Sequence, residues 1–245
     1  MISKASFDVS IVFPCFQEEL SIEEGVRAVF ETMRAESKIF EVILVDDAST
    51  DKTREKIINI SKEYPDIKYL FQDINTGRGK AFLNGSALAE GKIVGYIDVD
   101  MEVSISSLPE VIREIEKGQD LVLVRRNYNL KWSLGFIVRH FASSIYKSMV
   151  QFFLKIPKLD TESGFKFFKK ESLLALKEKV ESDRWFFDTE IVCLAYFSGM
   201  RVAQVEGEYK KNSKKTSTVH LLSDSLLQFS KLIAFRKKLK HLFPK

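Results

Sequence analysis

The sequence predicts an α/β fold, a mostly parallel sheet flanked by helices. Three observations predict it. Apolar runs of strand length alternate with amphipathic stretches of helical period through the first half of the chain. The connections between them are short. Acidic residues directly follow three of the runs. Strand and helix alternating with short links make βαβ units and a parallel sheet covered on both faces. In such sheets ligands bind outside the carboxyl ends of the strands.

DVSIVF (8–13), bounded by Pro14, reads as a buried strand. Leu20 to Arg34 has helical spacing, with Ile22, Val26, Val29, Phe30 and Met33 on one face. FEVILVDD (40–47) is a second strand. Ser49, Thr50 and Asp51 are N-cap candidates for a helix through Ile57, Ile58 and Ser61. IKYLF (67–71) is a third strand, Lys80 to Glu90 a helix stopped by Gly91, and IVGYID (93–98) a fourth strand. Leu108 to Lys117 is a helix ended by Gly118, and DLVLV (120–124) a fifth strand. The second half offers a long apolar helical stretch from Trp132 to Ile156, a short strand at 165–170, a helix from Phe187 to Ser198 and a strand from Arg201 to Lys211. A polar, lysine-rich loop over 212–217 then leads to an amphipathic helix from Leu221 to Phe243. The expected organisation is one catalytic domain over 1–220 and a basic amphipathic helix over 221–245.

The chain has 245 residues, 38 Lys+Arg against 34 Asp+Glu, and a formal charge of +4. That length can bury a sizeable core, and the composition excludes a disordered or collagen-like chain. Six of the cations and no acids fall in 231–245, so the remainder carries −2. A basic tail is not the broad cationic face of a duplex binder, and nucleic acid is not an expected partner. Cys15 and Cys193 are too few for a disulfide scaffold or a four-cysteine zinc site, and they fit a reducing compartment. No apolar run reaches the ~18–20 residues of a membrane span, and MISKASFDVS lacks the apolar core of a signal peptide. These features fit a soluble or membrane-surface protein made in the cytosol.

The chemistry sits at the strand ends. Pro14-Cys15-Phe16-Gln17-Glu18 follows the first strand, Asp46-Asp47 the second, and Asp98-Val99-Asp100-Met101-Glu102 the fourth. Helix caps explain Ser49 and Asp51, but not Asp98 and Asp100, which stand at the end of an apolar strand before any helix begins. Carboxylates at i and i+2, with Glu102 two further on, are hard oxygen ligands suited to Mg²⁺ or Mn²⁺ bridging a diphosphate. Asp98, Asp100 and Glu102 are therefore the candidate metal ligands. Gly77-Arg78-Gly79-Lys80 completes neither the dinucleotide fingerprint, because Phe82 stands at its sixth position, nor the P-loop, because Ala81 follows the lysine. It reads equally as a glycine turn starting a helix or as a loop bringing Arg78 or Lys80 to a diphosphate.

IVFPCFQEE, VILVDDASTDKT, NTGRGKAFLNGSALAEGKIVGYIDVD and DTESGFKFF together resemble glycosyltransferase family 2, whose fold is GT-A. Within it the likeness is to dolichyl-phosphate (polyprenyl-phosphate) mannose and glucose synthases, over roughly residues 8–220. The resemblance implies that Pro14, Phe16 and Glu18 hold the nucleotide, with Phe16 in place of the usual Tyr and Gln17 of the usual Asn. It implies that Val45 and Asp47 contact base and ribose, that Asp98, Val99 and Asp100 are the D-x-D, and that Asp100 and Glu102 bind the metal. Arg126 and Arg139 would clamp an acceptor phosphate, with Ser143 one turn beyond Arg139. Lys214 or Lys215 would close over the diphosphate, where the family's Ser-Lys is replaced by Ser217-Thr218. Asp160 matches the family's D-x-x-S-G-F segment near the acceptor, and Glu190 a carboxylate on the following helix.

The implied activity is inverting transfer of a hexose from a nucleotide sugar, GDP-mannose or UDP-glucose, to a polyprenyl (dolichyl) phosphate at the cytoplasmic membrane face. The location that the resemblance implies is cytoplasmic, peripheral on the membrane. Trp132 to Ile156 and Leu221 to Phe243 would be membrane-interface helices, with a membrane-anchoring protein as a further partner. The alternatives are a family 2 enzyme with a sugar-hydroxyl acceptor and a catalytically silent nucleotide-sugar-binding subunit. His140 and His220 have no neighbours in the sequence that suggest metal or nucleophilic chemistry.

Overall fold

A computed structural model describes residues 7–128, 148–210 and 221–244, the last stretch with side chains from 230 onward. The first half runs β1 (Val9–Cys15), α1 (Ile22–Arg34), β2 (Phe40–Asp46), α2 (Thr53–Glu63), β3 (Ile67–Phe71), α3 (Arg78–Ser86), β4 (Ile93–Ile97), α4 (Leu108–Glu116) and β5 (Leu121–Tyr128). Helical residues 148–154 (α5) follow. The chain then continues through β6 (Phe165–Lys169), α6 (Lys170–Lys177), α7 (Phe187–Phe197), β7 (Val202–Tyr209) and α8 (Leu221–Leu242).

The strands form one seven-stranded sheet in the order β3-β2-β1-β4-β6-β5-β7. The β3-β2-β1-β4 half is parallel throughout, β6 runs antiparallel to both its neighbours, and β7 pairs parallel with β5. Alternation along each strand divides the core into two layers. Val9, Ile11, Phe13, Val42 and Leu44 pack under Ile22, Val26, Val29 and Met33 of α1 and under Val111, Ile112 and Ile115 of α4. Val12, Ile43 and Val45 face the other way, onto Phe82 of α3 and onto α6, α7 and α8. The chain order reverses between β1 and β4, and this switch point opens a crevice at the carboxyl ends of the strands.

The expected strands and helices of the first half are present, with shifted ends. β5 extends to Tyr128 because it pairs with β7 along its whole length, so Arg126 lies within the strand and not after it. α3 starts at Arg78, two residues before the expected Lys80. The helix α6 has no counterpart in the sequence reading. Most of the Trp132–Ile156 stretch lies outside the described residues.

The C-terminal helix forms as expected, and among its described side chains part of the apolar face packs into the core while Ile233 stays exposed. Leu232, Phe235 and Leu239 are buried, and the Phe235 ring meets that of Phe186 edge-on at 5.6 Å. Those three side chains are therefore not on offer to a bilayer, whereas Arg236, Lys237 and Lys240 are exposed. Phe235→Ala is expected to cost about 3–5 kcal/mol of stability, read as a lowered urea midpoint with an unchanged slope.

Candidate active site

Three loops meet at the switch point, one from the end of each of β1, β2 and β4. Each contains a non-glycine residue in the left-handed backbone region: Gln17 (φ 58°), Ala48 (φ 62°) and Met101 (φ 51°). Such conformations are costly and gather where a site needs a sharp turn. The first two loops are interlocked. Gln17 donates from Nε2 to Thr50 Oγ1 at 2.8 Å, and its Oε1 accepts from the amide of Asp51 at 3.1 Å. The Glu18 amide donates to Thr53 Oγ1 at 2.8 Å, and the Lys52 amide to Glu19 Oε2 at 3.0 Å. Gln17 thus braces the two loops together.

The crevice between them has a volume of about 350 Å³, within the range of small-ligand sites. Pro14, Phe16, Glu18, Asp47, Asp98, Val99 and Asp100 all line it, joined by Asn75, Arg78, Arg184 and Trp185. Phe16 is 41% exposed at its mouth and Trp185 51%. The sequence reading therefore assembled most of one cavity wall from three separate strand ends.

Asp47 has a second duty. Its Oδ1 accepts from Gln72 Nε2 and from the Thr76 amide, both at 2.7 Å, and its Oδ2 accepts from the Gly77 amide at 2.7 Å. The carboxylate thereby fixes the 72–77 loop, where Gly77 at φ 98° turns the chain into α3.

Arg78, the first residue of α3, both starts that helix and lines the crevice. Its Nη1 donates to both oxygens of Asp98, at 2.7 and 3.0 Å. Its Nη2 donates to Asp188 Oδ2, and its guanidinium stacks 4.6 Å from the Trp185 ring. Asp188 Oδ1 also accepts from Tyr96 Oη and, at 2.6 Å, from Lys166 Nζ. Burial alone would push the Asp188 carboxyl up, but Arg78 and Lys166 on either side hold it below the usual range. Burial pushes the Asp98 carboxyl up, Arg78 opposes it, and the nearby Asp100 and Asp188 leave the net direction upward.

Several expected positions lie elsewhere. Val45 is fully buried in the core layer against α3, so its side chain cannot touch a ligand. Glu102 is turned to Tyr209, whose hydroxyl donates to Oε2 at 2.7 Å. Arg126 is held by Asp160, with Nε at 3.0 Å and Nη2 at 2.8 Å, and its Nη2 also reaches Glu162 at 3.2 Å. It is not among the residues lining the crevice; its partner Asp160 lies four residues before Gly164, whose carbonyl accepts from the Asp98 amide. Glu190 accepts from the Ser182 amide at 2.8 Å and from Lys238 of α8 at 2.9 Å, so it ties the 181–182 loop to the C-terminal helix. Arg139, Ser143, Lys214, Lys215, His140 and His220 lie outside the described residues.

Among the described residues no three His, Cys, Asp or Glu side chains converge on one point. The proposed trio of Asp98, Asp100 and Glu102 therefore does not form a ready-made cage, because Glu102 has been drawn to Tyr209. The pair that remains on the crevice does suit Mg²⁺ or Mn²⁺. Such ions are commonly held by one or two carboxylates together with phosphates and water. A carboxyl pushed upward by burial and by neighbouring carboxylates is also one whose ionised form a cation would stabilise.

Residues 10–176 match the glycosyl transferase family 2 domain. The chain belongs to that family. It is 30% identical over 239 residues to glycosyltransferase AglD of Haloferax volcanii, covering 94% of this chain and 37% of AglD. It is 28% identical over 217 residues to dolichyl-phosphate beta-glucosyltransferase ALG5A of Trichomonas vaginalis, covering 84% of this chain and 67% of that protein. The chain thus spans about a third of one relative and two-thirds of the other. A glucosyl-3-phosphoglycerate synthase from Mycobacterium tuberculosis, solved in complex with Mn²⁺ and UDP-glucose, superposes with a TM-score of 0.68 at 19% identity. That match covers 95% of this chain and 80% of the synthase, and it establishes the GT-A-like fold of this glycosyltransferase.

Sequence reasoning missed Asp188, Lys166, Tyr96 and Trp185. Asp188 and Glu190 sit two residues apart on a helix, roughly 200° around its axis, so only one of them could face the crevice. Lys166 did carry a signal, as a lone cation inside the apolar run Phe165-Lys166-Phe167-Phe168.

Proposed function

We propose that this family 2 glycosyltransferase moves a hexose from a nucleotide sugar to a polyprenyl phosphate at the cytoplasmic face of a membrane. UDP-glucose is preferred to GDP-mannose in this reading because the dolichyl-phosphate relatives are named beta-glucosyltransferases and the Mycobacterium tuberculosis synthase was solved with UDP-glucose. The observation that carries the reading is the placing of Asp98 and Asp100 with Pro14, Phe16, Glu18 and Asp47 around one crevice at the switch point. In that crevice Phe16 gives the base an apolar face and Glu18 gives the ribose an acceptor. Asp98 and Asp100 would hold the divalent cation, which when bound neutralises the diphosphate leaving group.

Transfer is an in-line displacement at the anomeric carbon. A lipid phosphate is anionic at neutral pH and attacks without a general base, so the protein has to position it. Arg139 carries that task in this reading. Arg126, engaged by Asp160 and Glu162, instead orders the 160–164 turn beside the reacting centre. Exposed Arg236, Lys237 and Lys240 offer charge to anionic lipid, and no described helix is long and apolar enough to cross a membrane.

The test is incubation with Mn²⁺, a short polyprenyl phosphate and either UDP-glucose or GDP-mannose, with extraction of the glycolipid. Glucosyl lipid from UDP-glucose is the expected product. Sugar transferred to a hydroxyl acceptor, with none on the lipid phosphate, would overturn the acceptor assignment.

A further inference from the structure

Two supports hold the Asp98 carboxylate, and both lead to one buried lysine. The first is Arg78, which grips both Asp98 oxygens and passes its other nitrogen to Asp188. The second is Gly164, whose carbonyl accepts the Asp98 amide at 2.9 Å and whose missing Cβ leaves the space that the carboxylate fills. Lys166 reaches both. Its Nζ donates to Asp188 Oδ1 at 2.6 Å and to the carbonyl of Ser163, next to Gly164.

Lys166 is fully buried in β6. Lysine is almost never fully buried unless it is paired, and the desolvation of its ammonium is a cost that a methionine of similar length would avoid. Packing alone therefore gives no reason for a cation here. The four groups Asp98, Arg78, Asp188 and Lys166 alternate in sign, and the chain of contacts ends at the carboxylate lining the crevice.

We infer that Lys166, acting through Asp188 and the Ser163 carbonyl, is a positioning residue that locks Asp98 from both sides. The inference rests on the reading of Asp98 and Asp100 as the diphosphate end of a donor site. Without the ammonium, Arg78 and the 160–164 turn each lose an anchor, and the Asp98–Asp100 turn loses its fixed orientation. A displacement on the order of 1 Å is enough to slow transfer about 100-fold.

The experiment uses the full chain with Lys166→Met, the gentler Tyr96→Phe, which removes one hydrogen bond from Asp188, Asp188→Asn and the Tyr96→Phe/Asp188→Asn pair. UDP and GDP binding with Mn²⁺ is measured by calorimetry, and kcat and KM for transfer are taken where circular dichroism shows each variant folded. Lys166→Met is expected to lower kcat about 100-fold and to weaken nucleotide binding roughly tenfold. Tyr96→Phe should shift both in the same direction by less. Combined with Asp188→Asn it should add nothing to that variant alone, because both act through one carboxylate. Folded variants with wild-type kcat and wild-type nucleotide affinity would overturn the inference, and Tyr96→Phe decides should Lys166→Met fail to fold. If the wild-type chain binds neither UDP nor GDP with Mn²⁺, the donor-site reading itself falls and takes the inference with it.

Discussion

Asp100→Ala is expected to lower metal-dependent transfer by roughly 10²–10³-fold while the chain stays folded. Asp100 is partly exposed on the loop after β4, and its Oδ1 accepts from the Glu102 amide at 3.3 Å. Losing that bond should cost about 1 kcal/mol, a small part of a domain's stability. The lost carboxylate, by contrast, is one of the two that would hold the cation on the diphosphate. Raising Mn²⁺ should restore part of the activity, because a weaker site still fills at higher concentration. Full activity at low Mn²⁺ would remove Asp100 from the donor site.

Gly164→Ala should be nearly as damaging, and for a steric reason. A Cβ at position 164 would lie 1.7 Å from Asp98 Oδ2 and 2.2 Å from its Cγ. Those atoms cannot share that space, so Asp98 must move by more than an ångström and release Arg78. Transfer should fall about 100-fold, seen in kcat of the folded variant. Gly199→Ala is the control. Its Cβ would meet nothing within 4 Å, although its φ of +75° makes the substitution strained, so it should lower stability by about 1 kcal/mol and leave transfer unchanged.

Much of the fold and one wall of the site were legible in the sequence. The period-2 and period-3.6 runs mark the first five strands, and the rule for parallel sheets puts Pro14, Asp47 and Asp98 at one edge. The rest depended on contacts between distant segments. Glu102 reads as a third ligand because it follows Asp98 and Asp100 at even spacing, yet the left-handed turn at Met101 and the Tyr209 hydroxyl take it away. Arg126 reads as a free cation because Asp160 is 34 residues off in the chain. Glu190 reads as the site carboxylate, but the helix turns it to Lys238 and offers Asp188 instead. Leu232 and Phe235 of α8 read as part of a membrane face because a sequence cannot say whether an apolar side chain meets lipid or the protein's own core, where both are buried. Arg78 was visible as a candidate, and its partner Asp98 is the contact that gives the glycine loop its purpose.

In the proposed mechanism the Asp98–Asp100 turn grips a donor diphosphate through a divalent cation at the β1–β4 switch point. Anomalous diffraction from crystals grown with MnCl₂ and UDP tests this most directly. The expected result is a manganese peak beside Asp100, with the uracil against Pro14 and Phe16 and the diphosphate between them. Nucleotide and metal bound anywhere other than this crevice would contradict it.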